Sequence, residues 1–127
     1  PGLQGDENVI GLGIFLGHCL GDFILQNDWM AAKKTKYTLP CLVHCLFYTL
    51  GMFLVLWPHF SLPWLFYLIV FATHFPIDRF RLARRMMTWT GQENFASGPF
   101  APWSVIIVDN TMHLLIAYET ACWLGVR

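Results

Sequence analysis

Histidine and aspartate residues recur at a spacing of four within the apolar parts of this chain. In chain order they are His18, Asp22, His44, His74, Asp78, Asp109 and His113. Residues four apart lie on one face of a helix, so each His/Asp pair can point into a common interior. Imidazole nitrogens and carboxylate oxygens are ligands for zinc, and iron and manganese are alternatives. The pattern therefore predicts a site for a divalent metal.

The elements that must position these residues are long apolar segments. The chain has 127 residues, of which 56% are hydrophobic and 13% are charged, whereas soluble domains carry about 25% charged residues. Four segments approach the roughly 20 apolar residues of a membrane helix: 9–30, 39–57, 62–82 and 102–124. We expect one all-α domain over residues 1–127, a polytopic bundle of four transmembrane helices. Zero net charge argues against a nucleic-acid partner.

The basic residues predict an orientation for this bundle. Seven of the eight fall in the first connection or at the end of the third segment, namely Lys33, Lys34, Lys36, Arg79, Arg81, Arg84 and Arg85. Because basic residues favour the cytoplasmic side, both connections should face the cytoplasm. Both termini should then be non-cytoplasmic, although Arg127 opposes this placement.

The depth of the polar residues favours a single site. Measured along each segment at 1.5 Å per residue, all seven fall in a layer roughly 6–18 Å below the cytoplasmic surface. Ionisable groups at such depth are costly unless they are paired, hydrated or bound to a metal. A metal centre is the first interpretation of this layer. A proton or ion conduit and a purely structural polar network are the alternatives.

A metal in this layer would support hydrolysis. Bound water would have its pKa lowered toward about 7 and would attack an ester, amide or phosphoester. Asp22 or Asp78 would act as the general base, with His18, His44, His74, Asp109 and His113 as metal ligands. A lipid-linked or amphiphilic substrate would enter from the cytoplasmic leaflet. The residues expected to hold its polar head are Arg79, Arg81, Arg84 and Gln26; the arginines also suit anionic lipid heads.

Several motifs carry a resemblance to a known family: HCLGDFILQ at 18–26, DWM at 28–30, His44, HFPID at 74–78 and DNTMH at 109–113. In them the chain resembles the bacterial and phage membrane family catalogued as domain of unknown function 3307. More remotely, it is similar to small inner-membrane proteins labelled metal-dependent hydrolases. The resemblance implies a multi-pass protein of the bacterial inner membrane with lipids as neighbours. The non-enzymatic alternative is a structural or accessory subunit of a larger membrane or phage-related assembly. As partners we expect a second copy of the chain or a larger membrane complex.

Overall fold

A computed structural model describes residues 6–125 of the chain. Within that range the backbone is all-α and contains no strand, as the sequence predicts. Its elements are α1 (Asp6–Cys19), a π-helical turn (Leu20–Ile24), α2 (Asp28–Lys33), α3 (Thr38–Leu56), α4 (Trp64–Arg79), α5 (Leu82–Trp89) and α6 (Trp103–Trp123). The chain ends, including Arg127, lie outside the described residues, so their predicted placement stays a prediction.

Helix α3 is the centre of the bundle, and glycines allow α1 and the π-helical turn to pack closely against it. A Cβ added at Gly21 would lie 2.7 Å from the Cα atom of Tyr48, and one added at Gly51 would lie 2.8 Å from the backbone nitrogen of Gly21. Small residues let helix backbones approach in this way. The apolar core beside this contact includes Met52 and Phe66, both fully buried. The close approach brings the π-helical turn against α3.

The first predicted segment is not one helix. Helix α1 continues into the π-helical turn, which ends at Ile24, and α2 begins only at Asp28. The side chain of Asn27 caps α2 by accepting a hydrogen bond from the backbone nitrogen of Met30, at 2.9 Å. Such a cap starts a new helix. Gln26 therefore lies in the break between the two helices, and the prediction of one helix over 9–30 is wrong.

The third predicted segment is also shorter than expected. Helix α4 begins after Pro63, whose backbone is extended, and ends at Arg79. Arg81 has a left-handed backbone conformation with φ of 54°, which interrupts the helix and lets α5 begin as a separate element. The 16 residues of α4 reach about 24 Å, against about 30 Å for the hydrocarbon core of a bilayer.

The prediction of four membrane-spanning helices is not supported. Among residues 6–125, α3 is the one helix that is both long and apolar enough to cross a membrane, with 19 residues and a mean hydropathy of 2.0. The apolar stretch Val9–Ile24 is shorter. Helix α6 has 21 residues, but Asp109, His113 and Glu119 reduce its apolar character. Helix existence was therefore predicted better than membrane topology.

Candidate metal centre

The structure brings the seven predicted His and Asp residues together. The π-helical turn follows α1 directly, so it places Asp22 one turn from His18, while α3, α4 and α6 supply the other residues. Six of the seven residues are at most 4% exposed, and the side chain of Asp109 is 24% exposed. π-Helical turns are rare and often occur at functional sites. Here the turn aims Asp22 at His44 on α3.

Four ligand atoms form what we call the inner group: Asp22 Oδ1, His44 Nε2, His74 Nε2 and Asp78 Oδ2. His44 Nε2 lies 3.1 Å from Asp22 Oδ1, 3.0 Å from Asp78 Oδ2 and 2.9 Å from His74 Nε2. His74 Nε2 lies 3.6 Å from Asp22 Oδ1 and 3.3 Å from Asp78 Oδ2. A tetrahedral ion with bonds of about 2.0–2.1 Å separates its ligands by about 3.3–3.4 Å. The inner group therefore has the dimensions of a four-coordinate site.

The carboxylate oxygens of the inner group face a shared centre. Asp22 Oδ1 and Asp78 Oδ2 are buried, and within the described residues neither makes a hydrogen bond of good geometry, although Asp78 Oδ2 forms an ion pair with Lys34 Nζ at 2.8 Å. Each nevertheless lies within 4 Å of two imidazole nitrogens. Buried polar atoms normally have a hydrogen-bond partner. Both oxygens therefore face the space between several nitrogens, as metal ligands do around an ion.

A second set, the outer group, consists of Asp22, Asp109 and His113. Each of these residues offers a ligand atom within 4.8 Å of the other two. His113 Nε2 lies 3.4 Å from Asp109 Oδ2. It also lies 2.9 Å from Asp78 Oδ1, so the inner and outer groups are in direct contact.

Aromatic stacking orients the inner histidines. The His74 ring is stacked between the rings of Tyr48 and His113, with centroid distances of 3.8 and 4.0 Å. In the described part of the chain, the Nδ1 atoms of His44 and His74 are buried without a hydrogen-bond partner. Packing therefore sets the orientation of His74, whereas ligating histidines usually donate their second N–H to an outer partner.

His18 has a different environment from the other histidines. Its Nδ1 atom lies 2.8 Å from the Tyr48 hydroxyl, and its Nε2 atom lies 3.1 Å from Asn110 Oδ1 and 3.6 Å from Asp22 Oδ2. Both ring nitrogens thus have hydrogen-bond partners, and His18 belongs to neither ligand group. In the structure, His18 contacts Oδ2 of Asp22, the carboxylate oxygen that is not part of the inner group. Tyr48 and Asn110 lack charge and resemble ordinary helix residues, so the sequence offers no signal for their contacts with His18.

Lys34 lies inside the polar cluster rather than only on the basic rim. Its Nζ atom is 2.8 Å from Asp78 Oδ2 and 3.3 Å from His44 Nε2. Burial lowers the pKa of Lys34, but the carboxylates of Asp78 and Asp22 outweigh burial and raise that pKa above its usual value. Lys34 is therefore a permanently charged part of the site. Its position close before α3, the helix that carries His44, was the signal available in the sequence.

Arg79 holds the connection that carries Lys34. Its Nη1 atom donates a hydrogen bond to the backbone oxygen of Thr35, at 2.9 Å. The bond ties the end of α4 to the residue that follows Lys34. The predicted role of Arg79 in holding substrate stays a prediction; in the structure its guanidinium binds the backbone of the connection before α3.

Two cavities lie near this end of the bundle, and the first of them adjoins the cluster. One, of about 180 Å³, is lined by Lys34, Thr35, Asp78, Arg81, Val105, Ile106 and Asp109. The other, of about 310 Å³, is lined by Phe80, Arg81, Arg84, Arg85, Thr88 and Trp89. Arg81 lines both cavities, and Arg84 lines the second, while Gln26 lines neither. The predicted binding of an anionic head by these residues stays a prediction.

Comparison with known proteins gives a family. A family model described as "Protein of unknown function (DUF3307)" matches residues 11–125. The chain belongs to this family. No curated protein matches the chain, and no solved structure does. The DUF3307 match confirms the resemblance seen in the sequence motifs, whereas the remoter similarity to metal-dependent hydrolases stays a prediction.

Proposed function

We propose that this DUF3307 protein is a membrane-embedded metalloprotein in which the inner group holds a divalent ion. The observation that carries the proposal is the close grouping of two imidazole nitrogens and two carboxylate oxygens, all within 4.8 Å of one another. Five of the separations between these atoms lie between 2.9 and 3.6 Å. Zinc suits this mixture of nitrogen and oxygen ligands, and iron and manganese accept the same donors.

The charge of the cluster supports a bound cation. Three carboxylates lie in the cluster, those of Asp22, Asp78 and Asp109. Among the described lysine and arginine side chains, the Lys34 ammonium forms an ion pair with them. Protons on the imidazoles would offset these carboxylates, whereas neutral imidazoles leave two negative charges in excess, which a divalent ion can offset in place of the protons. Uncompensated charge at buried positions costs several kcal/mol per ion. A divalent ion removes this excess at the place where the oxygens point.

The reaction we propose is hydrolysis. Held by the inner group, the ion would supply a bound water, with its pKa lowered toward about 7, as the nucleophile. Asp22 and Asp78 are the proposed bases, because each keeps a second carboxylate oxygen outside the inner group. The substrate is an amphiphile whose anionic head binds Arg81 and Arg84, with its ester, amide or phosphoester in the cavity beside Asp78.

The outer surfaces of the helices support a membrane environment. Large apolar side chains are exposed on several of them, including Leu12 on α1, Ile24 in the π-helical turn, Leu46 on α3 and Leu115 on α6, all at least 57% exposed. Extended apolar surface of this kind marks membrane or protein contacts. We propose that these faces contact the lipid of the bacterial inner membrane. An amphiphilic substrate could then reach the cavity laterally.

Metal analysis of matched variants tests this function. His74→Ala removes a fully buried member of the inner group, whereas His59→Ala removes an exposed histidine in the α3–α4 connection. The full chain, purified in detergent and exposed to zinc, should retain stoichiometric metal when wild type or His59→Ala. His74→Ala should lose it, together with hydrolysis of anionic phospholipid in mixed micelles. Wild-type protein that retains no metal would contradict the proposal. Metal without hydrolysis would contradict the enzymatic part alone.

A further inference from the structure

One carboxylate is common to both ligand groups. Asp22 belongs to the inner group with His44, His74 and Asp78, and to the outer group with Asp109 and His113. A carboxylate has two oxygens and can therefore bind two ions at once. Paired ions in hydrolytic centres lie about 3.5–4 Å apart. The short distance between Asp78 Oδ1 and His113 Nε2, 2.9 Å, places the two groups close enough for such a pair.

The two groups differ in their access to solvent. Every residue of the inner group is at most 4% exposed. In the outer group, the Asp109 side chain is 24% exposed and lines the cavity of about 180 Å³. An ion with four protein ligands takes a water only by expanding to five-coordination, whereas an ion with three protein ligands keeps a position for it. The outer group thus provides the more open coordination.

The geometry points to a dinuclear centre, in which a second divalent ion binds the outer group and Asp22 bridges the two ions. This inference rests on the proposed function, because it presupposes an ion in the inner group. The outer ion holds the water that faces the cavity. Asp22 then acts as a bridging ligand, which leaves Asp78 as the carboxylate base.

A second ion also narrows the class of substrate. Three carboxylates and the Lys34 ammonium leave two negative charges in excess, and two divalent ions reverse that excess. A metal-bound hydroxide removes one of the resulting positive charges. One anionic group on the substrate removes the other, so the centre favours an anionic ester such as a phosphoester. Arg81, which lines the same cavity, adds to this preference.

Manganese measures both the number of ions and their proximity. The full chain in detergent is loaded with Mn²⁺, freed of unbound metal and analysed for manganese per chain. Electron paramagnetic resonance then reports whether the ions are exchange-coupled. Wild-type protein should hold two coupled ions per chain. Asp109→Asn should hold one and lose the coupled signal, while Glu119→Gln, an exposed carboxylate on the same helix, should match wild type.

Each outcome separates the inference from the function beneath it. No bound manganese and no bound zinc in wild-type protein would overturn the proposed function. One uncoupled ion in wild-type protein would overturn the dinuclear centre and leave the proposed function standing. Two coupled ions in Asp109→Asn would refute the assigned outer group. If Asp109→Asn fails to fold, the signal of the wild-type protein still decides whether the ions are paired.

Discussion

A methyl group at Gly51 should weaken metal binding even though Gly51 holds no ligand. A Cβ added there would lie 2.8 Å from the backbone nitrogen of Gly21 and 2.9 Å from its Cα atom. These are backbone atoms, so rotation of a side chain cannot relieve the clash. Gly21 immediately precedes Asp22, whose carboxylate must reach His44 on the same helix as Gly51. Gly51→Ala therefore pushes one inner-group ligand away from another.

The size of the effect follows from the contact distances. Favourable carbon contacts begin at about 3.5 Å, so the π-helical turn and α3 must separate by about 0.6–0.7 Å. Overpacking of this kind lowers the free energy of unfolding by about 1–3 kcal/mol. The higher helix propensity of alanine offsets about 1 kcal/mol of that loss. Disturbing groups that orient metal ligands weakens metal affinity by about 10–100-fold, or about 1.4–2.7 kcal/mol.

Calorimetric titration of the purified chain with zinc measures this loss directly. Gly11→Ala is the matched control, because its added Cβ would meet a Tyr118 ring carbon at 3.9 Å, an ordinary contact. Gly11→Ala should bind zinc as the wild type does. Gly51→Ala with wild-type zinc affinity and wild-type thermal stability would refute the reasoning that backbone contact between these elements sets the ligand geometry.

Three further results are expected. Lys34→Gln should strengthen zinc binding by about tenfold or more in the same titration, because a positive charge 2.8 Å from Asp78 Oδ2 opposes the ion; unchanged or weaker binding would count against the ammonium's place in the cluster. Arg79→Ala removes the hydrogen bond to Thr35, so it should lower the free energy of unfolding by about 1.5–3 kcal/mol. It should also speed tryptic cleavage at Lys33 or Lys36, and an unaltered cleavage rate would contradict a restraint on this connection. The wild-type chain should stay with the membrane fraction after alkaline washing, and its release would contradict the membrane environment.

The grouping of the polar residues could be predicted because it depends on spacing and depth. His74 and Asp78 are four apart on one continuous helix, as are Asp109 and His113, so geometry within each helix fixes their shared face. Matched depth along the four apolar segments then indicated that the pairs would meet. The distances between α3, α4 and α6 residues agree with that expectation.

The roles of the basic residues could not be predicted from their count. Counting charges placed Lys34 and Arg79 on the cytoplasmic rim, because that method ignores the path of the connection. The structure turns the segment after α2 toward the cluster, so Lys34 reaches Asp78 while Arg79 binds the backbone of Thr35. Such a path depends on contacts between α4 and the connection, which are 44 residues apart.

Helix ends were the other source of error. The apolar composition of residues 9–30 predicts one long helix, but the Asn27 cap starts a separate one. Gln26 consequently lies between two helices rather than within one. For α3, where composition and local signals agree, the predicted range 39–57 differs from the observed Thr38–Leu56 by one residue at each end.

Anomalous scattering from crystals grown with zinc is the most direct measurement of the inner group. At the zinc edge, we expect a peak enclosed by Asp22 Oδ1, His44 Nε2, His74 Nε2 and Asp78 Oδ2. The ion should lie about 2.0–2.2 Å from each of these atoms. The absence of an anomalous peak there, with Lys34 Nζ still 2.8 Å from Asp78 Oδ2, would contradict a metal centre and leave a structural polar network.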